Sequence, residues 1–286
     1  HGFLPHCCTT CKETHRSDTD WRPCVSVWGK AVPSSTKTVD MRYKIELAYN
    51  GSNYAGWQIQ PNATTVQEAI DRALSTIANT SIETMGCGRT DAGVHAKFFV
   101  AHFDDPIGLP SDLSQRLNKM VPGDIHIISV QPCNGDFHAR FDATLREYEY
   151  HIQASKDPFS PKTFWWQAHT LNVEAMNRCA KLLIGKHDFS SFCKGEAPNN
   201  NPQCTVFTAE WTQKTDGYCF TIQANRFLRN MVRAIVGTLV DVGLGKISED
   251  AFRQIFAQGN RSDAGHSVPA EGLFLTKVEY PLPNQD

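Results

Sequence analysis

With 286 residues, 41% of them apolar or aromatic, the chain can bury one large or two modest hydrophobic cores. Its longest apolar stretch, Met231 to Val242, is broken by Arg233 and Asp241; a spanning helix needs roughly 20 apolar residues, so a soluble protein without a membrane partner is expected. A formal net charge of −2 excludes a uniformly basic nucleic-acid binder and requires any phosphate-binding surface to be local.

In chain order, residues 1–40 combine Pro5, Pro23 and Pro33 with a Ser/Thr run and show neither helical nor strand periodicity. They are expected to be a disordered or non-native N-terminal extension. His6, Cys7, Cys8, Cys11 and His15 imitate a metal knuckle, but one Cys-x-x-Cys without a second pair does not make a zinc site. The cysteines beyond residue 40, Cys87, Cys133, Cys179, Cys193, Cys204 and Cys219, are scattered singly. Free thiols in a reducing compartment follow, and with them a cytoplasmic location.

Arg42 to Tyr49 alternates as a half-buried strand. Thr65 to Ala78 switches to helical spacing, with Val66, Ala69, Ile70, Ala73, Leu74 and Ile77 in one stripe and a Thr65/Glu68 capping box. A short strand over Ile82–Met85, a glycine-rich turn, a strand over Lys97–Phe103, a helix capped by Ser111 and a strand over Ile125–Val130 complete a β-α-β-β-α-β order. The second half repeats it: a strand over Thr144–Ala154, a helix from Asn172, a hairpin of Thr205–Gln213 with Tyr218–Ala224, a long helix over Asn225–Val242, a shorter one over Ser248–Gln258, and a last strand over Leu273–Tyr280. The expected fold class is α+β, two tandem ferredoxin-like (RRM-like) halves, 41–143 and 144–286, with mainly antiparallel sheets and a catalytic cleft between them.

Three segments carry chemistry. Gly86-Cys87-Gly88-Arg89-Thr90-Asp91-Ala92-Gly93 lacks the spacing of a dinucleotide or Walker loop, and by itself it favours an ordinary glycine-rich turn with Asp91 as a turn acid. On a helix beginning at Asn225, Arg226, Arg229 and Arg233 fall at i, i+3 and i+7 and share one edge, able to face phosphates, a buried carboxylate or solvent. The run from Phe137 to Tyr150 mixes basic and aromatic residues, a composition suited to stacking bases and holding phosphates, or to a strand whose tyrosines are core.

The run Gly88-Arg89-Thr90-Asp91-Ala92-Gly93-Val94-His95-Ala96 resembles the signature of the TruA-type tRNA pseudouridine synthases. Four further segments match that family in order: Tyr54-Ala55-Gly56-Trp57-Gln58, His138 to Tyr150, Asn225 to Arg233, and Ala270-Glu271-Gly272-Leu273-Phe274-Leu275. Cys87 stands where the family more often has Ala, and residues 1–40 have no counterpart.

The resemblance implies an isomerase that breaks the base–sugar C–N bond of a uridine, rotates the uracil and forms a C–C bond. It makes Asp91 the catalytic carboxylate, Arg233 its cationic partner, Tyr148 the aromatic that stacks on uracil and relays a proton, and Leu273 an apolar wall for the flipped base. It places Arg89, Arg140, Arg226, Arg229 and His95 on the substrate-binding side. A homodimer acting on the anticodon stem-loop of tRNA is implied; no metal or small-molecule cofactor is. A non-catalytic RNA-binding protein with two RRM-like halves is the rival from another class, and a relative that modifies a different RNA is the closer one.

Overall fold

The computed structural model describes residues 41–105, 107–160 and 162–281. The expected disordered extension, residues 1–40, and the Cys7, Cys8 and Cys11 group within it lie outside the described residues.

β1 (Met41–Tyr49) buries Ile45, Leu47 and Tyr49 and turns the alternate residues outward, the period-2 pattern of a one-sided strand. α1 (Val66–Ala78) starts at Thr65, whose hydroxyl accepts the Glu68 amide at 3.3 Å. It stops at Asn79 in the left-handed conformation. β2 is only Met85–Gly86, and β3 (His95–Asp105) starts two residues earlier than its apolar alternation indicates. α2 (Leu113–Met120) is preceded by Asp112, not Ser111, at its N-cap, and β4 (Ile125–Pro132) follows.

The second half contains β5 (Leu145–Gln153), short β6 (Trp165–Trp166), α3 (Val173–Ala180, capped by Asn172) and short β7 (Gly185–Asp188). The hairpin β8 (Gln203–Lys214) and β9 (Gly217–Ala224) follows, then α4 (Met231–Gly243), α5 (Glu249–Gln258) and β10 (Leu273–Glu279). β6 and β7 escape the sequence pattern because two to four residues are too few to show a period.

The long helix begins at Met231, not at Asn225. Asn230 adopts φ 64°, ψ 6°, a left-handed turn that an α-helix cannot pass through. Upstream, the Asn225 main chain pairs with Thr205 and the Arg229 carbonyl accepts the Lys194 amide at 3.0 Å. Arg226 and Arg229 therefore lie on an irregular connection, not on a helical edge with Arg233.

The strands form one continuous mixed sheet in the order β4-β1-β3-β10-β5-β9-β8-β7, with β2 on β3 and β6 on β5. The sheet is continuous through the parallel pairing of β10 with β3, Phe274 opposite His95 and Leu275 opposite Ala96. Two hydrophobic clusters lie against this sheet. One includes Ile70 and Leu74 of α1 and Leu117 of α2 packed on β1 and β3. The other gathers Met176 of α3, Ile235 and Leu239 of α4 and Phe252 of α5 on β5, β8 and β9. Tyr148 packs against both clusters. Among the described residues no helix is long and apolar enough to cross a membrane.

Candidate active site

Asp91 sits on the connection from β2 to β3, and the Tyr54–Trp57 segment cradles it. Trp57 donates its amide to the Thr90 carbonyl at 3.3 Å, and the Gly93 amide bonds the Tyr54 carbonyl at 3.2 Å. Val94 closes the turn onto the Asp91 carbonyl at 3.1 Å, and Tyr49 Oη shares a 2.9 Å hydrogen bond with Thr90 Oγ1. Gly56 permits this approach. At φ +95° it occupies backbone space that side chains disfavour, and a Cβ there would lie 2.2 Å from the Thr90 carbonyl oxygen.

Arg233, on the first turn of α4, comes from the far side. Its Nη1 lies 3.6 Å from Asp91 Oδ2, and its Nε donates to the Val268 carbonyl at 2.7 Å. The second bond fixes the plane of the guanidinium, so the charge near Asp91 is held rather than free. Residues 268–273 are pinned in turn: Tyr150 Oη donates to the Pro269 carbonyl at 2.8 Å, and His95 Nε2 meets the Glu271 carbonyl at 3.1 Å. This segment delivers Leu273, buried opposite Tyr150 at the start of β10.

Tyr148 and Tyr150 project from the helix-covered face of β5, while Glu149 and His151 alternate to the other face. The Tyr148 ring meets Phe227 edge-on at 5.1 Å between centroids. Burial pushes its phenol well above the ordinary tyrosine range, and the nearby Cys87 and Asp91 push the same way. The hydroxyl therefore stays protonated at neutral pH.

The arginines divide by position. Arg89 and Arg140 are exposed, Arg226 is partly buried, and desolvation first, then the charges of Arg89, Arg146 and Arg226, depresses Arg140. A local cationic group thus stands beside the Asp91 connection despite the slightly acidic total. Arg140 also lies over the exposed ring of Phe141 at 5.6 Å. Arg229 is exposed on the irregular connection before α4.

His95 occupies a different kind of place from the arginines. Its Nδ1 accepts the Gly51 amide at 3.1 Å, its Nε2 serves Glu271, and its ring stacks on Phe274 at 4.5 Å. Both nitrogens are spent inside the fold, and burial lowers its basicity. Its effect on the site runs through the two segments it ties together.

Among the described residues one grouping has metal-binding composition, Glu149, His151 and Cys219. Hydrogen bonds from His151 and Lys97, at 3.1 and 2.9 Å, already engage Glu149 and hold its carboxyl down at about 2. The grouping lies on the sheet face opposite Tyr148.

Composition and spacing did not reveal the cradling role of the Tyr54–Trp57 segment, the Val268 carbonyl behind Arg233, or Arg146, whose side chain gathers four main-chain carbonyls. Gly56 between the aromatic residues Tyr54 and Trp57 is the available signal for the first. The other two depend on tertiary contacts that leave no periodicity.

A family model described as tRNA pseudouridine synthase matches residues 47–142 and 179–281. The chain is 47% identical over 242 residues to tRNA pseudouridine synthase A of Parabacteroides distasonis, covering 84% of this chain and 96% of that protein. It is 48% identical over 244 residues to the protein of that name from Bacteroides fragilis, with 84% and 96% covered. With the Bacillus subtilis protein it shares 38% over 245 residues, 84% and 99% of the two chains. The chain belongs to the TruA-type tRNA pseudouridine synthase family, isomerases that act on tRNA.

Proposed function

We propose that the chain isomerises uridine to pseudouridine in the anticodon stem-loop of tRNA, with Asp91 as its catalytic carboxylate. The observation that carries this reading is the meeting of Asp91 with a cation fixed from another element: Arg233 is 3.6 Å away and anchored on Val268. A carboxylate facing a cation fixed in this way is placed to attack the sugar or uracil, or to take a sugar proton.

The reaction conserves atoms: the base–sugar C–N bond breaks, the uracil turns, and a C–C bond forms as C5 loses a proton and the freed ring nitrogen gains one. Tyr148 is suited to the last step, since its partly buried ring can stack on the base and its hydroxyl can pass a proton. Leu273 supplies an apolar wall. The target nucleotide has to leave its stack, which costs a few kcal/mol; Arg89, Arg140, Arg226 and Arg229 are the groups to hold the displaced strand's phosphates. The relatives named tRNA pseudouridine synthase A support tRNA as the substrate.

The strand order supports two ferredoxin-like halves, 41–143 and 144–286. Within the first, the pairing runs β4-β1-β3-β2, and within the second β10-β5-β9-β8, so corresponding strands occupy corresponding places. The catalytic cleft is assigned to the junction where Tyr148 meets both hydrophobic clusters. A homodimer working in the cytoplasm completes the proposal.

Incubating the protein with unmodified tRNA transcripts, then mapping pseudouridine at nucleotide resolution, tests it. Product confined to the anticodon stem-loop is expected. RNA binding without product would indicate a binding protein, and product elsewhere a different substrate.

A further inference from the structure

Arg146 is the second residue of β5, two before Tyr148, and every N–H of its guanidinium is used on main-chain carbonyls. Nε and Nη2 donate to Cys87 O at 3.2 and 2.8 Å, and Nη1 donates to Ala143 O at 3.1 Å and Asn225 O at 2.8 Å. Nη2 also donates to Arg140 O at 2.7 Å. Among the described residues no carboxylate pairs with it.

The four carbonyls belong to three separate connections. Cys87 lies on the β2–β3 connection, four residues before Asp91 and two before Arg89. Arg140 and Ala143 lie on the connection from β4 to β5. Asn225 precedes Arg226 on the way to α4. One side chain thus ties the carboxylate-bearing connection and the segments bearing Arg89, Arg140 and Arg226 to the strand that carries Tyr148.

A guanidinium with all five donors occupied has none left for phosphate. Among the described residues its partly buried charge is met by carbonyl oxygens and not by an ion pair. The planar fork is what this junction uses, because five donors in fixed directions set the relative positions of three chains. A lysine ammonium, with three donors on a flexible stem, reproduces the charge but not that geometry.

We propose that Arg146 is a positioning residue that registers Asp91 against Tyr148, acting on the chemical step and not on RNA affinity. The inference rests on the pseudouridine synthase reading. Displacement of a reacting group by about 1 Å costs roughly a hundredfold in rate, so loss of the fork falls mainly on turnover of bound RNA.

The test is single-turnover pseudouridine formation on an unmodified tRNA transcript, for wild type and Arg146→Lys, with rates taken at saturating enzyme. RNA affinity is measured in parallel on Asp91→Asn and on the Asp91→Asn, Arg146→Lys double variant, and folding by thermal melting. The expected result is a folded Arg146→Lys protein whose saturated rate falls tenfold to a hundredfold while affinity stays within threefold. A saturated rate within threefold of wild type overturns the inference. So does weakened affinity with an unchanged saturated rate, or a rate loss that only tracks the unfolded fraction. If Arg146→Lys does not fold, Arg146→Gln is judged by the same criteria; failure of both to fold assigns Arg146 to the fold and overturns the positioning role. No product from wild type overturns the enzymatic reading itself, and the inference with it, whereas product from wild type and Arg146→Lys alike overturns the inference alone.

Discussion

Arg233 reaches Asp91 with one arm and the Val268 carbonyl with the other, at 3.6 and 2.7 Å, so the cation beside the carboxylate is oriented by the main chain behind it. Asp91→Asn keeps the side chain's shape but removes its charge and basicity, and should lower pseudouridine formation by roughly a thousandfold or more. RNA affinity should change little. Arg233→Lys supplies charge without the second arm and should fall between the two, roughly tenfold to a hundredfold below wild type. Quantifying product from a tRNA transcript checks both; turnover by Asp91→Asn at the wild-type rate would falsify the assignment.

Tyr148→Phe separates stacking from proton relay. The ring still meets Phe227 and both hydrophobic clusters, so binding should stay within about twofold, while loss of the hydroxyl should slow product formation by roughly a hundredfold. Equal losses in affinity and rate would assign Tyr148 to packing alone. The measurement is single-turnover rate against enzyme concentration, which resolves the two.

Gly56→Ala addresses the cradle beneath Asp91. A Cβ at φ +95° and 2.2 Å from the Thr90 carbonyl cannot be accommodated without moving the connection that carries Asp91. Activity should fall by roughly a hundredfold, with a melting temperature lower by several degrees, since the strained position and the clash each cost on the order of 1 kcal/mol or more. Full activity in Gly56→Ala would mean that the Tyr54–Trp57 segment does not set the position of Asp91.

The fold is legible in the sequence where a local pattern carries the information. The alternation in Met41–Tyr49, the apolar stripe of Val66–Ala78 and the motif around Asp91 all depend on residues within one element or on family resemblance. It is not legible where the backbone departs from the simplest continuation. Arg226, Arg229 and Arg233 have helical spacing, but Asn230 in a left-handed conformation interrupts the helix, and apolar periodicity does not register a single φ angle. The single continuous sheet rests on β10 pairing in parallel with β3, a contact between chain segments far apart in sequence. His95 stands within the family motif, yet its two nitrogens serve Gly51 and Glu271, partners that spacing does not specify.

Asp71 gives the fold a pH dependence separate from catalysis. It is buried on α1, its Oδ1 accepts the Thr84 amide at 3.0 Å and the Thr84 hydroxyl at 2.6 Å, and its Oδ2 has no partner. Burial raises its carboxyl from 3.8 to about 6. The folded state therefore holds this proton more tightly than the unfolded state, so its stabilising contribution is full below about 3.8 and is lost as pH rises through about 6. An ionised carboxylate there costs on the order of 3 kcal/mol. His102 works in the opposite sense: burial first, then Arg42 and His138, lowers it from 6.5 to about 4, so its contribution is lost as pH falls over much of the same range. The wild-type profile alone mixes the two, and the difference between wild type and Asp71→Asn isolates the first. Asn keeps an acceptor for Thr84, cannot ionise, and adds a buried amide whose cost does not vary with pH. Urea denaturation between pH 4 and 8 should show Asp71→Asn gaining stability relative to wild type as pH rises, by up to about 3 kcal/mol. Parallel profiles for the two proteins would mean that the Asp71 carboxyl titrates near its ordinary value despite its burial.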